Sequence, residues 1–503
     1  MRRMPKTVSF ILSACLLCAA VLASPQDKPA AERKAGDLKK EPYKLQFGDQ
    51  SVEAELGRLL VKENRSNPKS NLIELAFVRL KSTAGEPGPP VIYLDGGPGS
   101  SAINLARVPD YARAFLKLRE VGDVILLDQR GVGLSRPNLA RMATQSMPAD
   151  AFLNREKAFA VFKERAEEAA AHFKSQGVDL LAYNTRESAA DVDDLRRALG
   201  VEKVNLVGFS YGTHLGLATI RYHGAHLNRV ALVGTEGQNH TRKLPSTSQK
   251  SLERLARVVA ADPTVGPKVP DMVALLKRVF DRLEREPITV RITDRRNNQP
   301  VDLKVGKFGL QFVLLIDLGD TNDLPIFPAL FYTIDRGDYS MLARMLERRY
   351  NQFGAGINMM TMVMDAASGA SKARDAQIER EAKSAIFNDT INFPFPEIGR
   401  VFGNPDLGDE FRSAIRTDVP TLFISGSFDN NTPPWQADEV RKSFKHSAHI
   451  VVENAGHESS LVEPRVQQAM VDFLRGKDVS GVKISLPPLR FQPIPEPKAD
   501  AKN

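Results

Sequence analysis

A serine between two glycines is the first candidate for chemistry in this sequence. Residues 208–212 read G-x-S-x-G with Ser210 at the centre, directly after the apolar run Val204–Val207. A serine at a tight strand-to-helix turn has strained backbone angles, and side chains larger than glycine would clash at the flanking positions. Such a turn lifts the hydroxyl above the sheet and aims the next backbone N–H, that of Tyr211, at a developing oxyanion. The pattern predicts Ser210 as a nucleophile.

A serine hydroxyl is a poor nucleophile at neutral pH, so it needs a base and an acid that orients this base. After this kind of turn they follow along the chain in the order Ser, Asp or Glu, His. His457 lies in a glycine-containing loop directly after the predicted strand Ile450–Val452. We therefore predict His457 as the general base.

The acid is expected one strand earlier than the base. Asp429 lies in the loop that follows the predicted strand Thr421–Ser425. Thr432 and Pro433 come next and are typical of an N-cap and a first helical residue. The position between a strand and a capped helix predicts that Asp429 holds the tautomer of His457 and stabilises the imidazolium.

A second oxyanion donor is expected from the glycine-rich loop after the strand Val91–Leu94. The loop reads Gly-Gly-Pro-Gly over residues 96–99. Glycine-rich backbone can approach a ligand closely. We predict the N–H of Gly97 as this donor.

These residues require a sheet that brings the ends of several strands together. Apolar runs alternate with helical patterns up to residue 233, which predicts a mostly parallel sheet with helices on both faces. Residues 240–415 are largely helical in pattern and interrupt this rhythm before the acid-bearing strand, as a cap over the carboxyl ends of the strands would. The predicted organisation is a core in two parts, 46–239 and 416–480, with a helical cap at 240–415.

The N-terminus has the pattern of a secretory signal. Arg2, Arg3 and Lys6 precede an apolar run of about 15 residues, which is short for a membrane span of ~20. Small residues near Ala23 predict cleavage there, and hence an exported, periplasmic or secreted protein with residues 1–23 removed. Cys15 as a lipidated residue is the alternative. Both cysteines lie in this segment, so cleavage would leave a mature chain without disulfides.

The remaining composition excludes several function classes. Residues 24–45 are charged and Pro-rich and predict a flexible spacer, and the tail 481–503 is Pro-rich in the same way. The net charge of +8 comes from scattered basic residues, which argues against a nucleic-acid partner. No metal-binding or phosphate-loop motif is found, so no cofactor and no metal are expected.

Two motifs in front of the serine give the sequence a family resemblance. Residues 96–99 (Gly-Gly-Pro-Gly) and 128–131 (Asp-Gln-Arg-Gly), followed by the G-x-S-x-G turn, resemble the proline iminopeptidase and tripeptidyl aminopeptidase-like branch of the α/β-hydrolases. The resemblance runs from about residue 50 to 475 and implies the α/β-hydrolase fold. There are two departures from the family pattern. Asp95 stands where proline iminopeptidases usually carry His, and Met362 to Asp365 stand where secreted relatives often have cap cysteines.

The resemblance implies a serine peptidase that releases residues from the N-termini of short peptides through an acyl-enzyme on Ser210. Such an enzyme must bind a protonated amine, which calls for carboxylates near the nucleophile. Glu236, in a loop after a core strand, and Asp365, in the cap, are the candidates. Arg130 is expected to form a buried ion pair that organises its loop. An esterase or amide hydrolase of small molecules on the same triad, and an inactive binding protein, are the alternatives.

Overall fold

The computed structural model describes residues 33–496. The predicted signal peptide, its lipid-anchor alternative at Cys15 and the outer ends of the spacer and tail lie outside these residues. The strands are β1 (Leu38–Phe47), β2 (Gln50–Lys62), β3 (Leu72–Leu80), β4 (Val91–Leu94), β5 (Val124–Asp128), β6 (Ala140–Met142), β7 (Val204–Phe209), β8 (Leu227–Val233), β9 (Ile288–Asp294), β10 (Gln299–Val305), β11 (Gly356–Asn358), β12 (Thr421–Gly426), β13 (Ser447–Glu453) and β14 (Ile484–Ser485).

One large sheet organises the described chain. Its ten strands lie in the order β1-β2-β3-β5-β4-β7-β8-β12-β13-β14. The strands from β5 to β14 pair in parallel, whereas β1, β2 and β3 add an antiparallel edge. Parallel strands end at the same edge of a sheet, so the loops after β4, β7, β8, β12 and β13 lie together. The expected mostly parallel sheet is confirmed.

Helices cover both faces of this sheet because its strands are apolar on both sides. In β4, Ile92 and Leu94 belong to one buried cluster, and Val91 and Tyr93 belong to another on the opposite face. The helices are α1 (Ala102–Leu105), α2 (Pro109–Leu118), α3 (Arg155–Ser175), α4 (Thr185–Ala198), α5 (Tyr211–His223), α6 (Pro245–Ala261), α7 (Met272–Arg285), α8 (Lys307–Asp317), α9 (Phe327–Asp335), α10 (Ser340–Gly354), α11 (Met359–Ser368), α12 (Lys372–Ala382), α13 (Gly408–Arg412), α14 (Pro434–Arg441), α15 (Ser459–Val462) and α16 (Pro464–Leu474).

A long insert, residues 234–420, separates β8 from β12 and carries helices α6 to α13. Many of its apolar side chains form a buried cluster of their own, together with residues at the start of α3. The insert is largely helical, as predicted, but it also contains an antiparallel hairpin of β9 and β10 that the sequence pattern did not indicate. Alternating apolar residues in both strands (Val290 and Ile292 in β9, Leu303 and Val305 in β10) bury one face of this hairpin.

The ends of the predicted core also need correction. Residues 38–45 of the predicted spacer belong to β1, which pairs with β2 along its whole length. Alternation of Tyr43, Leu45 and Phe47 with the polar residues Lys44 and Gln46 turns one face of this edge strand inward. In the predicted tail, β14 adds two residues to the sheet beside β13. Ile494, in the extended segment beyond β14, is buried against the insert.

A helix that crosses a membrane must be apolar over about 20 residues. Between residues 33 and 496, no helix combines the length and apolar character needed to cross a membrane.

Candidate active site

Ser210 occupies a sharp turn between β7 and α5, with a backbone φ of 54° that is rare for residues other than glycine. The two glycines of the motif are required by their surroundings. A Cβ at position 212 would lie 1.9 Å from the carbonyl oxygen of Leu94, and one at position 208 would lie 2.5 Å from the carbonyl oxygen of Gly212. The turn therefore packs directly against the end of β4, as a nucleophile turn requires.

The predicted base and acid are in direct contact. Nδ1 of His457, in the loop after β13, lies 2.7 Å from Oδ2 of Asp429, in the loop after β12. Both residues are buried. Because an ionised carboxylate only accepts hydrogen bonds, Nδ1 carries the proton and donates, which leaves Nε2 free to accept one. This is the tautomer that a general base for a serine hydroxyl needs.

The opposite charges of Asp429 and His457 each favour the ionised form of the partner side chain, which burial alone would disfavour. Burial by itself raises the pKa of Asp429, but the charge of His457 and hydrogen bonds from His457 and Thr432 hold this pKa below its ordinary value. Burial also opposes the charged form of His457, yet the neighbouring Asp429 carboxylate raises the pKa of the imidazole above its ordinary value. Asp429 is therefore ionised at neutral pH and favours the imidazolium that would form during catalysis.

Thr432 has a different role from the one predicted. Helix α14 begins at Pro434 with Pro433 as its N-cap. The hydroxyl of Thr432 instead donates to Oδ2 of Asp429 (2.7 Å) and lies 3.1 Å from Nδ1 of His457. Its backbone N–H (2.9 Å) and that of Asn431 (2.8 Å) donate to the other carboxylate oxygen. An aspartate whose carboxylate accepts from the backbone N–H groups two and three residues later forms an Asx turn. This turn could have been predicted from the sequence.

Two cavities meet at Ser210. A cavity of about 390 Å³ is lined by Ser210, His457, Asp95 and Glu458, among others. A larger cavity of about 620 Å³ is lined by Ser210 and by residues of the insert. Its far wall is aromatic, with Phe162 from α3 and Phe312, Phe353 and Phe393 from the insert in mutual ring contact. Ser210 thus lies where a cavity lined by the core meets a chamber under the insert.

The predicted oxyanion donors both lie beside Ser210. Gly97 borders both cavities and has a φ of 109°, which favours glycine. The N–H of Tyr211 is the first of helix α5, where backbone donors have no intrahelical acceptor. The buried Tyr211 hydroxyl is held by Thr185 at 2.9 Å. These N–H groups can therefore serve the oxygen of a carbonyl that is attacked by Ser210.

Glu236, in the loop after β8, and Asp365, in α11, both line the large cavity together with Ser210. Lys243, which the sequence analysis did not single out, donates to Oε2 of Glu236 at 2.6 Å. Burial raises the pKa of Glu236, but Lys243 and His214 lower it to about 2. Burial and the nearby Glu236 charge raise the pKa of Asp365 well above its ordinary value. The cavity therefore holds an ion pair between Lys243 and Glu236 and, in Asp365, a carboxyl whose protonated form is favoured by burial and by the Glu236 charge.

Arg130, in the loop after β5, and Asp95, at the start of the glycine-rich loop after β4, make contacts that stabilise these loops. Arg130 is fully buried and donates two hydrogen bonds of 2.7 Å to Asp191 of α4, so the predicted ion pair is confirmed. Asp95 is buried beside the glycine-rich loop and accepts from Tyr93 at 2.9 Å. Burial raises the pKa of Asp95 to about 6. Both residues hold the loops that surround Ser210.

Comparison with known proteins agrees with this geometry. Residues 89–464 match the family model described as the alpha/beta hydrolase fold. The chain belongs to the α/β-hydrolase family. Together with the serine at its nucleophile turn, this makes it a serine hydrolase.

Two named relatives of this α/β-hydrolase are peptidases. The tripeptidyl aminopeptidase of Streptomyces lividans is 29% identical over 201 residues, which is 37% of this chain and 34% of the relative. The serine protease Hip1 of Mycobacterium tuberculosis (strain CDC 1551 / Oshkosh) is 30% identical over 168 residues, or 32% of each chain. The chain thus matches about a third of the length of these relatives. The predicted resemblance to the tripeptidyl aminopeptidase-like group is confirmed.

Among solved structures, the chain is similar to a thermophilic esterase from Thermogutta terrifontis, with 17% sequence identity. The match covers 83% of this chain and 98% of the esterase with a TM-score of 0.37.

Proposed function

We propose that this serine hydrolase is an aminopeptidase that releases short N-terminal fragments from peptides. Ser210 would be the nucleophile, His457 the general base and acid, and Asp429 the residue that orients His457. The observation that carries the proposal is the chamber under the insert, which contains the nucleophile and the carboxyl groups of Glu236 and Asp365. An enclosed acyl site with acidic groups suits a short peptide with a free N-terminus.

The positions of the side chains around Ser210 suggest the direction of the substrate. His457 borders the small cavity and must give its proton to the leaving nitrogen. The leaving peptide would therefore occupy the small cavity, and the acyl part would occupy the large one. Ser210 would lose its proton to Nε2 of His457 as its oxygen bonds to the carbonyl carbon, and the N–H groups of Gly97 and Tyr211 would bind the oxyanion. Loss of the amine gives an acyl-enzyme, which water hydrolyses by the reverse proton transfers.

The charges in the large cavity support recognition of an ammonium group. In the free enzyme burial and the charge of Glu236 favour the protonated form of Asp365. A substrate ammonium between the two carboxyl groups would supply the positive charge that this proton now supplies. Binding of the amine would then release the proton of Asp365 and form a charge-assisted hydrogen bond.

The size of the large cavity favours more than one residue on the acyl side. At roughly 30 Å³ for each water-sized group, the cavity of about 620 Å³ holds about 20 such groups. A prolyl group has about seven non-hydrogen atoms and a tripeptide of small residues about fifteen, so the latter fills such a chamber better. We therefore favour release of di- or tripeptides over release of single residues.

Peptides with free and acetylated N-termini, analysed by mass spectrometry, test this function. We expect cleavage only when the N-terminus is free, with products of two or three residues, and no cleavage by Ser210→Ala. Glu236→Gln and Asp365→Asn should each raise KM for free peptides about tenfold or more, since each removes part of a charge-assisted contact worth about 1.5–3 kcal/mol. Equal cleavage of free and acetylated peptides would contradict the role given to the two carboxyl groups.

The aromatic wall of the large cavity favours one second candidate, an esterase for apolar acyl groups. Phe162, Phe312 and Phe393 offer an apolar surface that does not require a peptide backbone. The same assay separates the two functions when simple esters are added. Hydrolysis confined to esters would favour the esterase.

We also propose that the protein is exported, with residues 1–23 as its signal peptide. The support is the basic start, the short apolar run and the small residues before the predicted cleavage site. The intact mass of the protein from its native host tests this. Removal of 23 residues is expected, and a lipid-modified N-terminus at Cys15 would favour the lipoprotein alternative.

A further inference from the structure

Within residues 33–496, three residues border both the small and the large cavity. They are Ser210, Gly97 and Asn431. The first is the proposed nucleophile and the second a proposed oxyanion donor. The third has no role in the mechanism described above, although it lies at the same junction.

The backbone of Asn431 is held rigidly by the proposed acid. Its N–H donates to Oδ1 of Asp429 at 2.8 Å, within the turn that also binds the neighbouring Thr432. Movement of the Asn431 backbone would therefore disturb the orientation of the Asp429 carboxylate, whereas movement of its side-chain amide would not. This coupling places the residue at a fixed position relative to His457, which contacts the other oxygen of the same carboxylate.

The side chain of Asn431 is free by contrast. Its amide makes no hydrogen bond to any of the residues that the structure describes, and the residue is partly exposed at the cavities. The amide packs against Gly319, where an added Cβ would lie 3.0 Å from Nδ2 and 3.2 Å from Oδ1. Gly319 in turn accepts the backbone N–H of His457 at 2.9 Å. A glycine thus leaves room for an amide that has no hydrogen-bond partner between residues 33 and 496.

We propose that the side-chain amide of Asn431 binds the main chain of the substrate at the scissile bond and favours peptides over esters. This inference rests on the proposed peptidase function. The scissile carbonyl must lie above Ser210, with the acyl part in one cavity and the leaving group in the other. A residue that borders both cavities therefore flanks the scissile bond.

The hydrogen-bonding capacity of the site supports this assignment. The N–H groups of Gly97 and Tyr211 are donors, so they serve the carbonyl oxygen and cannot accept from a peptide N–H. Asn431 supplies an acceptor, Oδ1, as well as a donor, Nδ2. A peptide bond presents an N–H at the leaving atom, whereas an ester presents an oxygen without hydrogen. Oδ1 of Asn431 would thus stabilise only the peptide.

Asn431→Leu tests the proposal because leucine has a similar shape and no hydrogen-bonding group. The substrates are a peptide and the matched depsipeptide, in which an ester oxygen replaces the scissile N–H. For the peptide we expect kcat/KM to fall about tenfold, the value of one hydrogen bond of about 1.4 kcal/mol. For the depsipeptide we expect a change of less than about threefold, since it lacks the N–H that the bond requires.

Two further variants separate this role from a structural one. Gly319→Ala keeps Asn431 but pushes its amide away, so it should show the same selective loss on the peptide. Asn322→Ala, at an exposed asparagine near Gly319, should leave both substrates unaffected. The rate of labelling by a fluorophosphonate, which has no N–H, should stay at the wild-type value in all three variants and confirms an intact Ser210.

Two results would overturn the inference. An equal loss of kcat/KM for peptide and depsipeptide, or no loss for either, would show that Asn431 does not bind the scissile N–H. The proposed peptidase function would not be affected by that result. A wild-type enzyme that hydrolyses the depsipeptide but no peptide would instead refute the proposed function, and this inference with it.

Discussion

Asp429→Asn tests the acid–base pair most directly, because the hydrogen bonds around residue 429 dictate how an asparagine must lie. Oδ1 of Asp429 accepts from the backbone N–H groups of Asn431 and Thr432 at 2.8 and 2.9 Å. An NH2 group cannot accept these bonds, so the amide oxygen must take this position. The NH2 group then faces Nδ1 of His457, at the place where the carboxylate oxygen now lies 2.7 Å away.

A donor at that place would force the imidazole proton onto Nε2. The ring would then present a donor to Ser210 and could not remove its proton, so we expect kcat to fall about 10⁴-fold. The variant also loses the charge that raises the pKa of His457.

The pH dependence of kcat/KM provides the second readout. Neutral His457 is the active form, and its raised pKa places the acid limb of the wild-type profile above the ordinary histidine value of 6.5. In Asp429→Asn the residual activity should have its acid limb below that of the wild type. Peptide hydrolysis from pH 4 to 9 measures both effects.

A surface pair of the same type serves as the control. Oδ1 of Asp438 lies 3.1 Å from Nδ1 of His449, outside both cavities. Asp438→Asn should leave kcat and the acid limb unchanged. The reasoning is refuted if Asp429→Asn keeps kcat within tenfold of the wild type and shows an unshifted acid limb.

Three further predictions concern the turn, a motif loop and the large cavity. Gly212→Ala should give no soluble folded protein, because the new Cβ would lie 1.9 Å from a backbone oxygen. In the control Gly216→Ala the new Cβ meets only the end of a flexible side chain, so this variant should fold. Expression level and circular dichroism measure both outcomes. Arg130→Met should lower the free energy of unfolding by about 3–5 kcal/mol in urea titrations, because it leaves the buried carboxylate of Asp191 without this partner. KM for a free peptide should fall as the pH rises through the raised pKa of Asp365, since Asp365 must lose its proton to bind an ammonium, and a KM that is independent of pH would contradict that role.

The sequence was sufficient to predict which residues of the candidate site lie in loops after core strands. Ser210, Asp429 and His457 each follow an apolar strand in a loop with a recognisable pattern, and parallel strands carry such loops to one edge of the sheet. Local backbone requirements, such as the glycines at 208 and 212, leave a visible mark on the sequence. The contact between His457 and Asp429 could therefore be expected before the structure was known.

The edges of the core were less well predicted. Edge strand β1 carries Lys39, Lys40 and Pro42, a composition that also suits a spacer, and only its pairing with β2 distinguishes the two. The hairpin of β9 and β10 was missed because short alternating runs are easily lost in a helical surrounding. In both cases the partner strand follows directly along the chain, but the composition of each strand alone does not show that the two strands pair.

The large cavity was decided by tertiary structure alone. Glu236 and Asp365 are far apart in the chain and each resembles an ordinary surface carboxylate, yet the packing of the insert brings both to the chamber beside Ser210. Burial then raises the pKa of Asp365, and packing pairs Glu236 with Lys243, which no local pattern encodes. The chemistry of Ser210 follows from local backbone geometry, whereas its substrate depends on apolar contacts between distant segments, and those contacts leave no periodic signal in the sequence.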